Sequence, residues 1–236
     1  MTEDLDYKRD WTVHPPLIHP PYKSTLSRGP TKPLMPVRQS LLENSAPAYG
    51  NEVLGKLDAD LTLNGRMNGE PLGERIIVKG RVRDEENRPV RNTLLEIWQA
   101  NSAGRYIHLI DQHQAPLDPN FFGGGRTITD DDGYYEFLTI RPGAYPWGNH
   151  PNAWRPPHIH FSLFGLSFTQ RLITQMYFPG DPLLDLDPIF QGTPMAARDL
   201  LISEFSIKDT KPDYALAYIF NITLRGRNAT PWENQS

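Results

Sequence analysis

The sequence predicts an all-β protein, a β-sandwich core preceded by an extended proline-rich arm and carrying one short late helix. Three observations lead there. Short segments with period-two alternation of apolar and polar residues recur between turn signals from Arg75 onward. Proline is abundant, 23 residues in 236, which suits arms, loops and edge strands rather than a helical bundle. Thr193-Pro194 sets an N-cap residue before a proline at the first helical position, predicting a helix from Pro194 to about Phe205.

The arm comes first. Pro15, Pro16, Pro20, Pro21, Pro30, Pro33 and Pro36 crowd the stretch from Trp11 to Pro36, which excludes a helix and makes sheet pairing poor. Trp11, Leu17, Ile18 and Tyr22 lie too close together for a disordered tail, so the arm packs on its own domain or on a partner chain. His14 and His19 lie there too. Patterning is weak from Gln39 to Asn64, with a short helical turn near Leu41 as the one local expectation. Residues 1–70 therefore read as arm and irregular segment, and 71–236 as the sandwich domain.

Strands follow in order. Arg75–Arg83 alternates Ile76, Val78 and Val82 against Lys79, Arg81 and Arg83. Asp84–Pro89 reads as a turn, and Thr93–Trp98 as the next strand. Thr129-Asp-Asp-Asp-Gly133 reads as a hairpin turn before a strand at Tyr134–Ile140, since it lacks the spaced aspartates of a calcium loop. Further strands are expected at His158–Phe164, Gln170–Tyr177 and Ala215–Leu224, the last with Tyr218, Phe220, Ile222 and Leu224 on one face.

Composition removes whole classes of function. The chain has no cysteine, which excludes disulfide scaffolds, thiolate metal sites and a cysteine nucleophile. A net charge of -4 gives no electrostatic footprint for nucleic acid or an anionic membrane, and no apolar run approaches a bilayer span. The acidic start, Met1–Tyr7, lacks the pattern of a secretory signal, so a cytoplasmic location is expected. Asn221-Ile-Thr223 and Asn228-Ala-Thr230 then read as chance matches to the glycosylation sequon.

The chemistry begins at His158 and His160. On a strand, residues two apart share a face, so both imidazoles project together with Ser162, while Ile159, Phe161 and Leu163 point to the core. Such a pair can hold a metal on a rigid element, and zinc, copper and iron all stay open. The zinc-protease histidine motif and the carboxylate of an Fe(II) facial triad are both missing. Tyr106 and Tyr145 lie in loop-like settings upstream, whereas His108, His113 and His150 share no face with the pair. Two tyrosines as further ligands would suit a trivalent iron, since phenolate is a hard anionic donor with a free pKa of ~10.

With these residues assembled, the chain resembles the intradiol ring-cleaving dioxygenases. The matching stretches are Trp98-Gln-Ala-Asn101, Gly104-Arg-Tyr106, Leu117-Asp-Pro-Asn-Phe121, Asp132-Gly-Tyr-Tyr135, Pro142-Gly-Ala-Tyr-Pro-Trp147, Trp154-Arg-Pro-Pro-His-Ile-His-Phe161 and Leu172-Ile-Thr-Gln175. Within the family it is most similar to the iron-binding β subunits that act on 3,4-dihydroxybenzoate. The resemblance implies one non-haem Fe(III) per chain, held by Tyr106, Tyr145, His158 and His160. It implies Tyr145 and His158 as axial ligands, Tyr106 and His160 as equatorial ones, and hydroxide as the fifth.

Further roles follow from the same resemblance. Tyr145, Arg155 and Gln175 would be catalytic, and Tyr22, Trp147, Arg155 and Ile189 would contact or shape the space for substrate. The implied reaction is cleavage of the catechol by O2 to 3-carboxy-cis,cis-muconate, in the β-ketoadipate route of aromatic catabolism. The implied partner is an α subunit, in a hetero-oligomer of αβ protomers. An Arg155 truncation is expected to slow turnover and leave the iron bound. Two positions depart from the family, which commonly has arginine where this chain has Ile107 and Gly148. They bear on substrate choice, so a related enzyme acting alone on catechol or hydroxyquinol is the second reading. A β-sandwich binding module without catalysis is the third.

Overall fold

The alternating segments form two stacked sheets. A computed structural model describes residues 10, 12–35, 54–149, 154–164 and 171–233. Among the described residues eleven strands run in chain order: β1 Arg75–Arg83, β2 Leu94–Trp98, β3 Gly124–Ile128, β4 Tyr134–Ile140, β5 Tyr145–Pro146, β6 Trp154–Arg155, β7 His158–Phe164, β8 Arg171–Tyr177, β9 Glu204–Phe205, β10 Leu216–Ile219 and β11 Ile222–Thr223. One sheet is built on β1, with β4 antiparallel on one side. On the other side β10 and β11 lie parallel to successive halves of β1, and β9 pairs β10. The second sheet has the order β3-β2-β7-β8 and is antiparallel throughout. β5 and β6 form a separate two-stranded ribbon.

The core lies between the sheets. Ile76, Val78 and Val82 of β1 meet Leu95 and Ile97 of β2, Phe137 of β4 and Ile159, Phe161 and Leu163 of β7. Each of these side chains is almost wholly withdrawn from water, a contribution of roughly 1.5–3 kcal/mol apiece. Tyr218, Phe220 and Ile222 join them, as the expected one-faced pattern requires.

Four local expectations need correcting. The strand expected at Ala215–Leu224 is two strands, because Phe220 leaves β10 to donate its N–H to Lys79 O and the pairing resumes only at Ile222. The Asp130–Gly133 turn forms, with Asp130 Oδ1 accepting the N–H groups of Asp132 and Tyr134, but it closes no hairpin. β3 and β4 belong to different sheets, so this turn carries the chain across the sandwich. The late helix is a 3₁₀ helix, Met195–Leu201, and Thr193 is instead the C-cap of a short α-helix, α2, at Pro188–Gly192. The capping chemistry read at 193–194 belongs to Asp187-Pro188, where the Asp187 side chain accepts the N–H of Ile189.

The arm, too, is not wholly extended. One helical turn, α1, spans Thr25–Arg28, in the proline-free interval between Pro21 and Pro30. The arm packs on its own domain: Val13 joins Ala197 and Ala229, and Tyr22 is buried. Ser24 N–H donates to Asn149 Oδ1 at 2.8 Å, which ties the arm to the loop after Trp147. The helical turn expected near Leu41, together with Trp11, Pro36 and His150, lies outside the described residues. No helix among the described residues is long and apolar enough to cross a membrane.

Candidate metal centre

Sheet register assembles one side of the site. On the face of β7 turned away from the core, His160 lies opposite Trp98 of β2 and Gln175 of β8, and His158 lies opposite Tyr177. This outer face is not wet: His158 and His160 are as buried as the core itself, at 2% and 4% exposure. The Trp98 ring stacks on His160 at a centroid distance of 4.7 Å and an interplanar angle of 5°. The two imidazoles are 4.8 Å apart and nearly perpendicular.

Two loops supply the tyrosines. After β2 the chain turns on Asn101, whose Oδ1 accepts the N–H groups of Ala103 and Arg105. Gly104 has φ +77°, and a Cβ there would sit 2.1 Å from the Ala144 carbonyl oxygen, so only glycine lets this loop lie on the loop carrying Tyr145. Gly143 N–H donates to Asn101 O and clamps the two together. As a result the rings of Tyr106 and Tyr145 meet edge to face at 5.4 Å, and Tyr106 is 6.4 Å from His160. The ribbon sets Tyr145 directly opposite Arg155.

All four donors therefore converge. Tyr145 Oη is 3.4 Å from His158 Nε2, and Tyr106 Oη is buried with no hydrogen-bond partner. Leaving a buried hydroxyl unpaired costs about 1–3 kcal/mol, which a metal ligand role would recover. Each histidine spends Nδ1 elsewhere: His158 donates to Pro156 O at 2.7 Å, and His160 to Glu233 Oε2 at 2.9 Å. That leaves Nε2 as the unprotonated nitrogen of each ring, with His158 Nε2 3.4 Å from Tyr145 Oη and 3.1 Å from Arg155 Nη1. Burial holds His158 well below the usual imidazole range, helped by Arg155 and His160, and so keeps it neutral. Burial likewise pushes the Tyr106 and Tyr145 hydroxyls up, Tyr106 strongly, so each phenol keeps its proton until a cation displaces it. Two phenols and two imidazoles, without thiolate or carboxylate, suit a ferric ion.

Arg155 dominates the next layer. Its guanidinium donates to Asp187 Oδ2 at 2.9 Å, Gln175 Oε1 at 2.7 Å and Tyr177 Oη at 3.1 Å, and Nη1 lies 3.4 Å from Tyr145 Oη. Arg155 is 2% exposed. Trp147 lies under the guanidinium at 5.4 Å, and Tyr22 meets Trp147 edge to face at 5.1 Å. Ile189, in the first turn of α2, lines a small cavity of about 10 Å³ with Gln175, Tyr177 and Glu233. Gln175 Nε2 is buried without a partner. Every site residue singled out in the sequence thus falls around one centre. His113 faces Trp154 instead, and His108 caps its own loop at Ile110 N–H.

A larger surface cavity, about 380 Å³, holds none of the donors; it is lined by Ile107, Leu117, Phe121 and Phe122 among others. Its walls are mostly apolar, with Asp118 as the one carboxylate, so the donors mark the site. Three residues with clear roles escaped sequence reasoning. Asp187 is passed over for the Thr193-Pro194 pair, and Trp98 reads as a strand end and part of a family stretch without a role of its own. Glu233 gave no signal, because nothing local relates it to a histidine 73 residues away.

The chain is similar to known proteins over most of its length. The family profile described as "Dioxygenase" matches residues 44–226, and that of the "Protocatechuate 3,4-dioxygenase beta subunit N terminal" matches residues 7–40. The protocatechuate 3,4-dioxygenase beta chain of Burkholderia cepacia is 66% identical over 95% of this chain and 96% of its own length. The alpha chain of Pseudomonas putida is 32% identical over 67% of this chain and 75% of its own. A catechol 1,2-dioxygenase of Candida albicans is 34% identical over 60% of this chain, which spans about half of that relative, 47%. The crystal structure of 3-chlorocatechol 1,2-dioxygenase from Rhodococcus opacus superposes with a TM-score of 0.53 at 24% identity, over 71% of this chain and 65% of that one, a likeness of fold. The chain belongs to the intradiol ring-cleaving dioxygenase family, an enzyme family that uses non-haem iron.

Proposed function

We propose that this chain is the iron-binding β subunit of a protocatechuate 3,4-dioxygenase, binding one Fe(III) through Tyr106, Tyr145, His158 and His160 and cleaving 3,4-dihydroxybenzoate with O2 to 3-carboxy-cis,cis-muconate. One observation carries the reading: a buried, unpartnered Tyr106 hydroxyl beside Tyr145, His158 and His160, with both histidines already committed at Nδ1. Ferric iron, when bound, supplies Lewis acidity toward the two catechol oxygens and activates the ring toward dioxygen.

The chain's own residues do the rest. Tyr145, on a two-stranded ribbon rather than in a sheet, is the donor suited to take a phenolic proton from the substrate. The Arg155 guanidinium beside its oxygen steadies the negative charge that appears as the substrate ionises. Gln175 has its oxygen occupied and its Nε2 free, so it can donate to an oxygen of the reacting molecule. Tyr22, Trp147 and Ile189 wall the approach and exclude water. An α subunit completes the assembly as αβ protomers, in keeping with relatives of both chain types. A cytoplasmic location belongs to the same proposal and accords with a cysteine-free chain.

Substrate choice rests on the two departures. Ile107 is half exposed, and a Cβ at Gly148 would meet nothing within 4 Å, so the arginine common there in relatives would fit without strain. Iron reconstitution followed by anaerobic titration tests the proposal. The loaded protein should be red to burgundy from tyrosinate-to-iron charge transfer, and protocatechuate should perturb the band more than catechol. A protein that stays colourless and iron-free would sink the reading, whereas a larger response to catechol or hydroxyquinol would move it to the related enzymes.

A further inference from the structure

We infer that Glu233 is a positioning residue of the metal centre, held in place by the two ends of the chain together. The two imidazoles of the donor set are not supported alike. His158 turns Nδ1 to the Pro156 carbonyl, a neutral acceptor two residues away. His160 turns Nδ1 to a carboxylate. Both arrangements fix the tautomer, but a negative partner also raises the basicity of the ring and strengthens Nε2 as a donor to a cation. His158 meets the opposite field, since Arg155 Nη1 lies 3.1 Å from its Nε2. His160 is therefore the firmer ligand of the pair, and Glu233 is the reason.

The carboxylate cannot follow a turning imidazole. Glu233 is buried, its N–H donates to Ile173 O at 2.6 Å, and Thr174 Oγ1 donates to Pro231 O at 2.6 Å, both contacts lying on β8 beside β7. Between these anchors, Trp232 N–H donates to His14 Nδ1 at 3.3 Å and its indole Nε1 to Pro15 O at 3.4 Å. The His14 and Trp232 rings meet edge to face at 5.7 Å. The arm thus clamps the C-terminal segment onto the sheet, and the segment holds the plane of His160 against the Trp98 ring on its other side.

This inference rests on the ferric reading of the site, and its test separates the two. Wild type, Glu233→Gln and Glu233→Ala are produced with the α partner and loaded with iron. Iron loss to a chelator and the tyrosinate band are followed, and each metal-free protein is melted. Gln keeps the volume and an acceptor oxygen but removes the charge. The Gln variant should lose iron about 10–100 times faster and show a shifted band, with a metal-free melting temperature matching wild type. The Ala variant should lose iron at least as fast. Iron loss from the Gln variant within about twofold of wild type, with an unmoved band, would overturn the role of Glu233 whatever the Ala variant does. A wild type that takes up no iron would overturn the ferric reading and this inference with it.

Discussion

Gly104 decides whether the two tyrosine loops can touch. A methyl group there would collide with the Ala144 carbonyl while forcing a side chain into the left-handed region. Gly104→Ala should cost about 1–3 kcal/mol from the backbone alone, more with the clash. Urea denaturation should show it, together with weaker iron uptake as Tyr106 and Tyr145 separate. The four donors themselves are legible in the sequence, because strand alternation pairs His158 with His160 and the surrounding motifs single out the tyrosines. Their supports are legible only in part. Asp187, Glu233 and the Pro156 carbonyl act through contacts that tertiary packing alone creates.

The elements around α2 tie stability to chemistry. Asp187 caps the helix through Ile189 N–H and also neutralises Arg155, both groups being essentially out of water. Asp187→Asn keeps the cap and strands a buried cation, so it should destabilise the fold by about 3–5 kcal/mol, read as a fall in the denaturation midpoint. The same pairing changes what truncating Arg155 would do: it would leave Asp187 unpaired, so a loss of turnover has to be read beside a loss of stability. Most strands were legible from alternation, β1, β4 and β7 to the residue. β3 was not, because Gly124-Gly-Arg-Thr-Ile128 offers no apolar row. Gly125 is there because Leu61 and the Asp58 carbonyl press against the strand, a contact no local pattern reveals.

The molecule as a whole should be sensitive to alkali. Tyr106, Tyr135, Tyr145 and Tyr177 are all held above the ordinary phenol value, chiefly by burial. A raised folded pKa means that the unfolded chain gives up its protons first. The stabilisation is therefore intact below about pH 10 and is lost as pH climbs toward the folded values. Melting temperature should fall steeply above pH 10 in the metal-free protein, with exposed Tyr134 and Tyr214 ionising in the folded state and the buried phenols adding a second rise in tyrosinate absorbance at the unfolding transition. Tyr135→Phe should shallow that fall, while removing a hydrogen bond to Phe220 O at a cost of about 1 kcal/mol at neutral pH. The clasp between His14, Trp232 and Glu233 also reaches into the order in which the protein is made. Its first members leave the ribosome long before its last, and the proposed iron ligands lie between them. β1 must wait for β10 and β11 to complete its sheet, and His160 Nδ1 gains its carboxylate partner only once residue 233 has been added. Iron bound before that residue is in place would be held without the carboxylate behind His160.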